Sequence, residues 1–195
     1  MITLASASAA RAALLKAAGV GFQVVTSGVD EAAIKYRLVA EGAHPAAVAG
    51  TLAESKALAV SAGRPGLVIG ADQTLEFGGD LYDKAPNLQA AAERLRTLRG
   101  RTHQLHSAVV TARDGRRLWG ETVTATLTMR DFSDAFLDAY LTRNADAALW
   151  SVGCYALEAE GVQLFERIEG DYFAILGLPM TGLLAHLRAE RLVPR

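Results

Sequence analysis

The sequence predicts a mixed-sheet α/β fold, and three observations carry that expectation. Short apolar runs of strand length alternate with longer patterns of helix length. Two strand-period segments flank an Asp114-Gly115 turn, which demands antiparallel pairing. The helix and strand signals do not repeat as regular β-α-β units, which argues against a purely parallel sheet.

The elements follow in order along the chain. Residues 2–5 are an apolar run that reads as a buried strand. Ser6 and Ser8 follow, and residues 9–18 read as a helix capped by Ser8 and stopped by Gly19. Residues 22–26 read as a second strand, after which comes the acidic pair Asp30 and Glu31. Pro45 suits the first turn of a helix running to about Ala62. Residues 67–71, Leu-Val-Ile-Gly-Ala, form a buried-strand pattern expected to end on Asp72. Asn87 caps a helix over residues 88–98, stopped by Gly100. Residues 104–113 and 117–129 are the arms of the hairpin. In the second arm Val123, Ala125, Leu127 and Met129 alternate with threonines, giving one buried and one wet face. Ser133 caps a helix to about Thr142, residues 153–157 and 162–168 read as two further strands, and Pro179 precedes a last helix ending near Arg191.

Composition bounds the function classes. The chain has 195 residues and a formal net charge of -1, from 20 basic and 21 acidic side chains. Bulk electrostatic binding of nucleic acid needs a clear cationic excess, so the charge balance argues against that class. Apolar residues at 51% are enough for a packed core, and the many alanines read as compositional bias. The single cysteine, Cys154, permits no internal disulfide and fits a reducing, cytoplasmic setting. No signal peptide and no apolar stretch of about 18 residues is seen, so no membrane association is expected.

Several groups can carry chemistry. Ser6-Ala7-Ser8 leads into a helix N-terminus, where free N–H groups and the helix dipole favour an anion. Arg11 near the positive end of that dipole is unfavourable unless an anion lies close by, and by spacing alone the segment reads also as a capped helix with a surface arginine. Asp72, at the expected strand end, reads either as a turn aspartate capping the next segment or as a carboxylate that suits a divalent cation or deprotonation of water. Lys56 and Lys84, with Glu31, Glu54 and Glu158, read singly as solvated surface. Together such cations suit a polyphosphate. Histidines 44, 103, 106 and 186 fit neither a helical zinc pair nor a same-face strand pair. There is no P-loop and no Gly-x-Ser-x-Gly elbow.

Taken in order, these pieces resemble the Maf family of nucleotide pyrophosphatases. The landmarks are Leu4-Ala5-Ser6-Ala7-Ser8 with Arg11, Val29-Asp30-Glu31, Leu52-Ala53-Glu54-Ser55-Lys56-Ala57 and Gly70-Ala71-Asp72-Gln73, followed by Lys84, Gly100-Arg101-Thr102-His103 and Gly177-Leu178-Pro179. They span nearly the whole chain. The resemblance implies one Maf-like domain over residues 1–195, with two lobes around a central cleft in an elongated fold related to inosine triphosphate pyrophosphatases. It implies hydrolysis of a nucleoside triphosphate to monophosphate and pyrophosphate, with a divalent cation, Mg²⁺ or Mn²⁺. By matching position, Asp72 is the proton acceptor, and Arg11, Lys56, Lys84 and Ser8 contact phosphates. Glu31 acts with Asp72 on metal or water.

The chain departs from the family pattern in places. Ser8-Ala9-Ala10-Arg11 stands where Ser-Pro-Arg-Arg is usual, and Asp83-Lys84-Ala85 where Gly-Lys-Pro is usual. Gln73 and Glu158, expected to read the base edge, resemble the branch acting on 7-methyl-GTP. Ala10, in the same substrate-binding region, matches neither that branch nor the pyrimidine branch, so the base stays open. The alternative reading is a nucleotide-binding regulator of cell division or septum formation, a role also attached to the family. The intact set of Ser8, Arg11, Lys56, Asp72 and Lys84 speaks against it, because a pure binder does not need the acid. A homodimer is expected if the strand over residues 122–129 lies at an edge.

Overall fold

The computed structural model describes residues 1–194. Strand β1 (Ile2–Ala5) is buried throughout and feeds directly into α1 (Ala9–Ala17). Ser8 caps α1 as expected, its hydroxyl accepting from the Arg11 N–H, and Gly19 closes the helix at φ +70°. Strand β2 covers only Gln23–Val24, shorter than the sequence suggests, because it lies exposed at the sheet margin. Helix α2 (Glu31–Ala40) has no counterpart among the expected elements. It has no buried residue, so its apolar pattern is weak, and Asp30 is its N-cap.

Helix α3 (Pro45–Ser61) lies across β3 (Leu67–Phe77). The expected strand end at Asp72 is a correction: the strand runs on to Phe77, leaving Asp72 in its middle. Thr74 and Leu75 are buried beyond it, while Gly78 and Gly79, both at positive φ, make the turn into β4 (Asp80–Tyr82). Helix α4 (Leu88–Leu98), the hairpin β5 (Thr102–Arg113) and β6 (Arg116–Met129), and α5 (Asp134–Arg143) match the expected pattern. Helix α6 (Ala145–Trp150) is a further element that no sequence signal marks.

Residues 153–157 are not a strand. Cys154 has φ +61°, and the Tyr155 ring packs where a side chain on Gly153 would stand, so the segment turns instead of extending. A 3₁₀ turn over Glu160–Leu164 replaces the first half of the next expected strand, leaving β7 as Phe165–Glu169. Two helices, α7 (Tyr172–Ile175) and α8 (Met180–Ala189), complete the chain.

The sheet order is β2-β1-β3-β5-β6-β7, with β4 paired to β3. Strand β1 is parallel to β2 and β3, and all other pairs are antiparallel, which makes the sheet mixed. The strand expected to lie at an edge is covered over half its length: Thr126, Leu127, Thr128 and Met129 pair with β7, while Thr122, Val123, Thr124 and Ala125 pair with β5 alone.

One apolar cluster gathers Leu95, Leu98, Leu127, Phe132 and Tyr140, and another gathers Leu4, Leu15, Ile69 and Leu183. Between α3 and the sheet lies a thin layer of small residues, Ala49, Ala53 and Ala57, against Ala108, Val110 and Ala112. Here the alanines are more than compositional bias. A side chain on Gly70 would strike the Ala53 carbonyl and come 2.7 Å from the Ala57 nitrogen. The helix therefore rides low on β3.

Candidate active site

The low position of α3 carries Lys56 onto Asp72. The Lys56 ammonium donates to Asp72 Oδ1 at 2.6 Å and pairs with Glu31 Oε1 at 2.9 Å. The lysine is 5% exposed, which corrects its expected place on the solvated surface. A buried lysine persists only when paired, and here two carboxylates share it. Asp72 is equally buried, while the Glu31 side chain remains 42% exposed. Glu31 is the first residue of α2, where its charge complements the helix dipole. Among the described residues no protein donor meets Asp72 Oδ2, and that atom is not sealed from solvent.

Arg11 is held by backbone as well as by charge. Its Nε donates to the Gly177 carbonyl at 2.9 Å, and its Nη1 donates to the Ala71 carbonyl at 2.9 Å and to Ser6 Oγ. Burial pushes the guanidinium down from its ordinary value, while Asp72 and Glu31 pull it back up. These bonds explain two landmarks at once. The Gly177-Leu178-Pro179 turn and the residue before Asp72 both serve to orient Arg11.

Above this cluster opens a cleft of about 610 Å³. One wall is the turn from Ser6 to Ala10 with Arg11; Glu31 and Lys56 line it from α2 and α3; Lys84, Trp150 and Glu158 line it from the remaining chain. Ser8, Ala10, Arg11, Glu31, Lys56, Lys84 and Glu158 are thus brought together, with Asp72 one contact behind Lys56. Lys84 is exposed and forms no ion pair among the described residues; its neighbour Asp83 pairs with Lys35 of α2 at 2.8 Å. The Lys84 backbone N–H donates to the same Asp83 carboxylate, so the Lys84 loop is tied to the helix that carries Glu31.

Gln73 faces away from the phosphate end. Its amide nitrogen donates to Ser107 Oγ and to the carbonyls of Ala174 and Ile175, so its donors are spent within the protein. It lines a small adjoining cavity of about 30 Å³, which shares Trp150 and Glu158 with the main cleft. Trp150, 45% exposed, is a site residue absent from the sequence-derived set. It sits at the end of α6, a helix equally without a sequence signal, and no motif marks it.

Outside the cleft, His103 bonds the Tyr155 hydroxyl and is deeply buried, which pushes its pKa down to about 4. Burial also raises the Cys154 thiol from its ordinary value, consistent with an inert core residue. His44 and His106, which sequence spacing keeps apart, both meet Glu76.

The chain is similar to known proteins over nearly its whole length. A family model described as Maf-like protein matches residues 1–190. A nucleoside triphosphate pyrophosphatase of Caulobacter vibrioides is 60% identical over 96% of this chain and 94% of its own. A 7-methyl-GTP pyrophosphatase of Brucella abortus is 48% identical, covering 98% and 97%. Another 7-methyl-GTP pyrophosphatase, from Rhizobium meliloti, is 50% identical, covering 96% and 95%.

Proposed function

Because this chain belongs to the Maf-like protein family, we propose that it is a nucleoside triphosphate pyrophosphatase working in the cleft above Asp72. The observation that carries the proposal is the buried carboxylate–ammonium–carboxylate cluster of Asp72, Lys56 and Glu31 at the foot of that cleft. A site that only bound a polyphosphate would be best served by cations alone. Two carboxylates at its foot instead provide a proton acceptor and hard oxygen ligands.

The charges support a divalent cation. Of the three positive charges on Arg11, Lys56 and Lys84, two are already offset by Asp72 and Glu31, which leaves too little for a triphosphate. Glu31 and Asp72 offer carboxylate oxygens, the donor type that Mg²⁺ or Mn²⁺ takes, and Glu31 has an exposed edge with which to do so. Such an ion supplies neutralisation of phosphate charge as pyrophosphate departs.

The chain's own residues account for the rest. Lys84 and Arg11 bind the phosphates, with Ser8 and the first-turn N–H groups of α1 adding hydrogen bonds. Lys56 orients Asp72, whose Oδ2 accepts a proton from water. The water oxygen bonds to the α-phosphorus, the bond from that phosphorus to the oxygen bridging to the β-phosphate breaks, and pyrophosphate leaves.

At the far end, Glu158 and Trp150 favour a guanine-like base bearing positive charge. N7-methylation makes a guanine ring cationic, and a carboxylate beside an indole face suits such a ring. Gln73 contributes by holding α7 against β5 more than by reading the base edge. The test is pyrophosphate release from a panel of canonical and modified nucleoside triphosphates with Mg²⁺ or Mn²⁺. Release that is lost in Asp72→Asn supports the reading. Nucleotide binding without release from any member of the panel would replace it with the regulator of cell division.

A further inference from the structure

We infer that His44, Glu76 and His106 form a second metal site, of the zinc class, separate from the nucleotide cleft. The three residues come from three different elements. His44 immediately precedes α3, Glu76 lies near the end of β3, and His106 lies on β5. Thr74 pairs with His106 across the two strands, so His106 and Glu76 are diagonal neighbours on the face that α3 covers. Glu76 Oε2 lies 2.8 Å from His106 Nε2 and 3.2 Å from His44 Nε2. One ligand atom from each residue falls within 4.8 Å of the other two.

The donor set selects the metal. Two imidazoles and one carboxylate suit zinc and its first-row neighbours, whereas Mg²⁺ takes oxygen ligands. Bonds of about 2.1 Å in a tetrahedral site place neighbouring ligand atoms about 3.4 Å apart. The spacing from Glu76 to His106 needs to open by about 0.6 Å and that to His44 by about 0.2 Å. His106 is buried, and its Nδ1 is 2.9 Å from Thr124 Oγ1. That hydroxyl can accept from Nδ1–H and leave the Nε2 lone pair for a metal, the outer support that ligating histidines commonly have. The His44 side chain is 62% exposed, which gives both an entry path and room for water as a fourth ligand.

One feature opposes binding. His44 Nδ1 accepts from the Ala46 N–H at 3.2 Å, and ligation through Nε2 requires a proton on Nδ1. The Ala46 N–H then turns to solvent at the exposed start of the helix. Losing such a cap weakens a helix end by roughly tenfold in its local equilibrium, small against the affinity of a three-ligand zinc site.

The site is remote from the chemistry. Glu76 is four residues beyond Asp72 on one strand, about 13 Å away. A metal there clips the start of α3 to the sheet.

The test uses the full chain carrying Asp72→Asn, Glu31→Gln and Lys56→Gln, which removes the cleft carboxylates together with the ammonium they pair, with Co²⁺ as the probe. One equivalent of Co²⁺ should bind, with the visible absorption of a low-coordinate nitrogen-ligated ion, and excess Zn²⁺ should displace it. Adding His44→Ala should weaken Co²⁺ binding at least tenfold. In the otherwise native chain, the same His44→Ala change should leave pyrophosphate release unaltered. His106→Gln should abolish the absorption, with thermal unfolding confirming that the variant is folded. Co²⁺ binding that is absent, or unchanged by His44→Ala, would overturn the proposal and leave the three residues as a hydrogen-bonded cluster.

Discussion

Replacing Asp72 by Asn separates chemistry from stability. Asparagine keeps an oxygen facing Lys56, so the 2.6 Å contact loses charge but not its hydrogen bond. Lys56 retains Glu31 at 2.9 Å and is not left unpaired. The stability loss should therefore be about 1 kcal/mol, the difference between a charge-assisted and an ordinary bond. In a chain of this size that is a fall in Tm of roughly 2–4 °C. The rate should respond far more. Asparagine cannot take the proton from water, and loss of a positioned general base commonly removes about 10²–10⁴-fold. The assay is steady-state pyrophosphate release, with Tm read on the same preparations. Lys56→Met provides the opposite case. It strands Asp72 with its nearest partner gone, and breaking a buried pair in this way costs about 3–5 kcal/mol. Asp72→Asn should thus be folded and inactive, and Lys56→Met both inactive and unstable. Turnover within about threefold of wild type in Asp72→Asn would remove Asp72 from the role of proton acceptor.

Three further outcomes follow from other parts of the structure. Gly70→Ala should lift α3 off β3, because its new methyl group meets helix backbone; a loss on the order of 3 kcal/mol and a matching loss of activity are expected in urea unfolding and turnover assays. His103 is neutral in the fold down to a pKa of about 4 but titrates near about 6.5 when unfolded. The unfolded chain binds the extra proton between these values, so stability falls as pH drops through that window, by up to about 1.4 kcal/mol per pH unit from this group. His103→Gln should flatten that part of the pH–stability curve. Trp150→Ala should raise KM for a 7-methylated guanine nucleotide by about tenfold or more, and Glu158→Gln should narrow the preference for it over pyrimidine nucleotides; unchanged ratios would exclude both residues from base recognition.

The elements with strong local signals are legible in the sequence. Ser8, Asn87 and Ser133 cap the helices expected of them, each accepting the N–H three residues on. The Asp114-Gly115 turn joins the two long strands, with both residues at positive φ. The segments that escape such reading have a local pattern that is weak or overridden. Helix α2 buries no side chain and so has no apolar face to announce it. Residues 153–157 are apolar and β-like in composition, yet packing around Tyr155 and the left-handed backbone of Cys154 bend them into a turn. The candidate site is legible as a set of residues. Its internal order is not: Arg11 braced by Gly177 and Ala71, Gln73 consumed by α7, and Trp150 facing the cleft all depend on contacts between distant parts of the chain.

Composition, local periodicity and the order of short motifs are enough to establish the mixed α/β architecture, the lack of a cation excess for nucleic-acid binding, and the family to which the chain belongs. None of these properties requires knowing which distant residues touch. The burial of Lys56, its position between Asp72 and Glu31, and the meeting of two histidines at Glu76 arise only when the chain is folded. They originate in the close approach of α3 to β3. With glycine at 70 and alanines at 53 and 57, nothing holds the helix away from the strand, and the side chains along that contact are pressed into pairs that no spacing in the sequence displays.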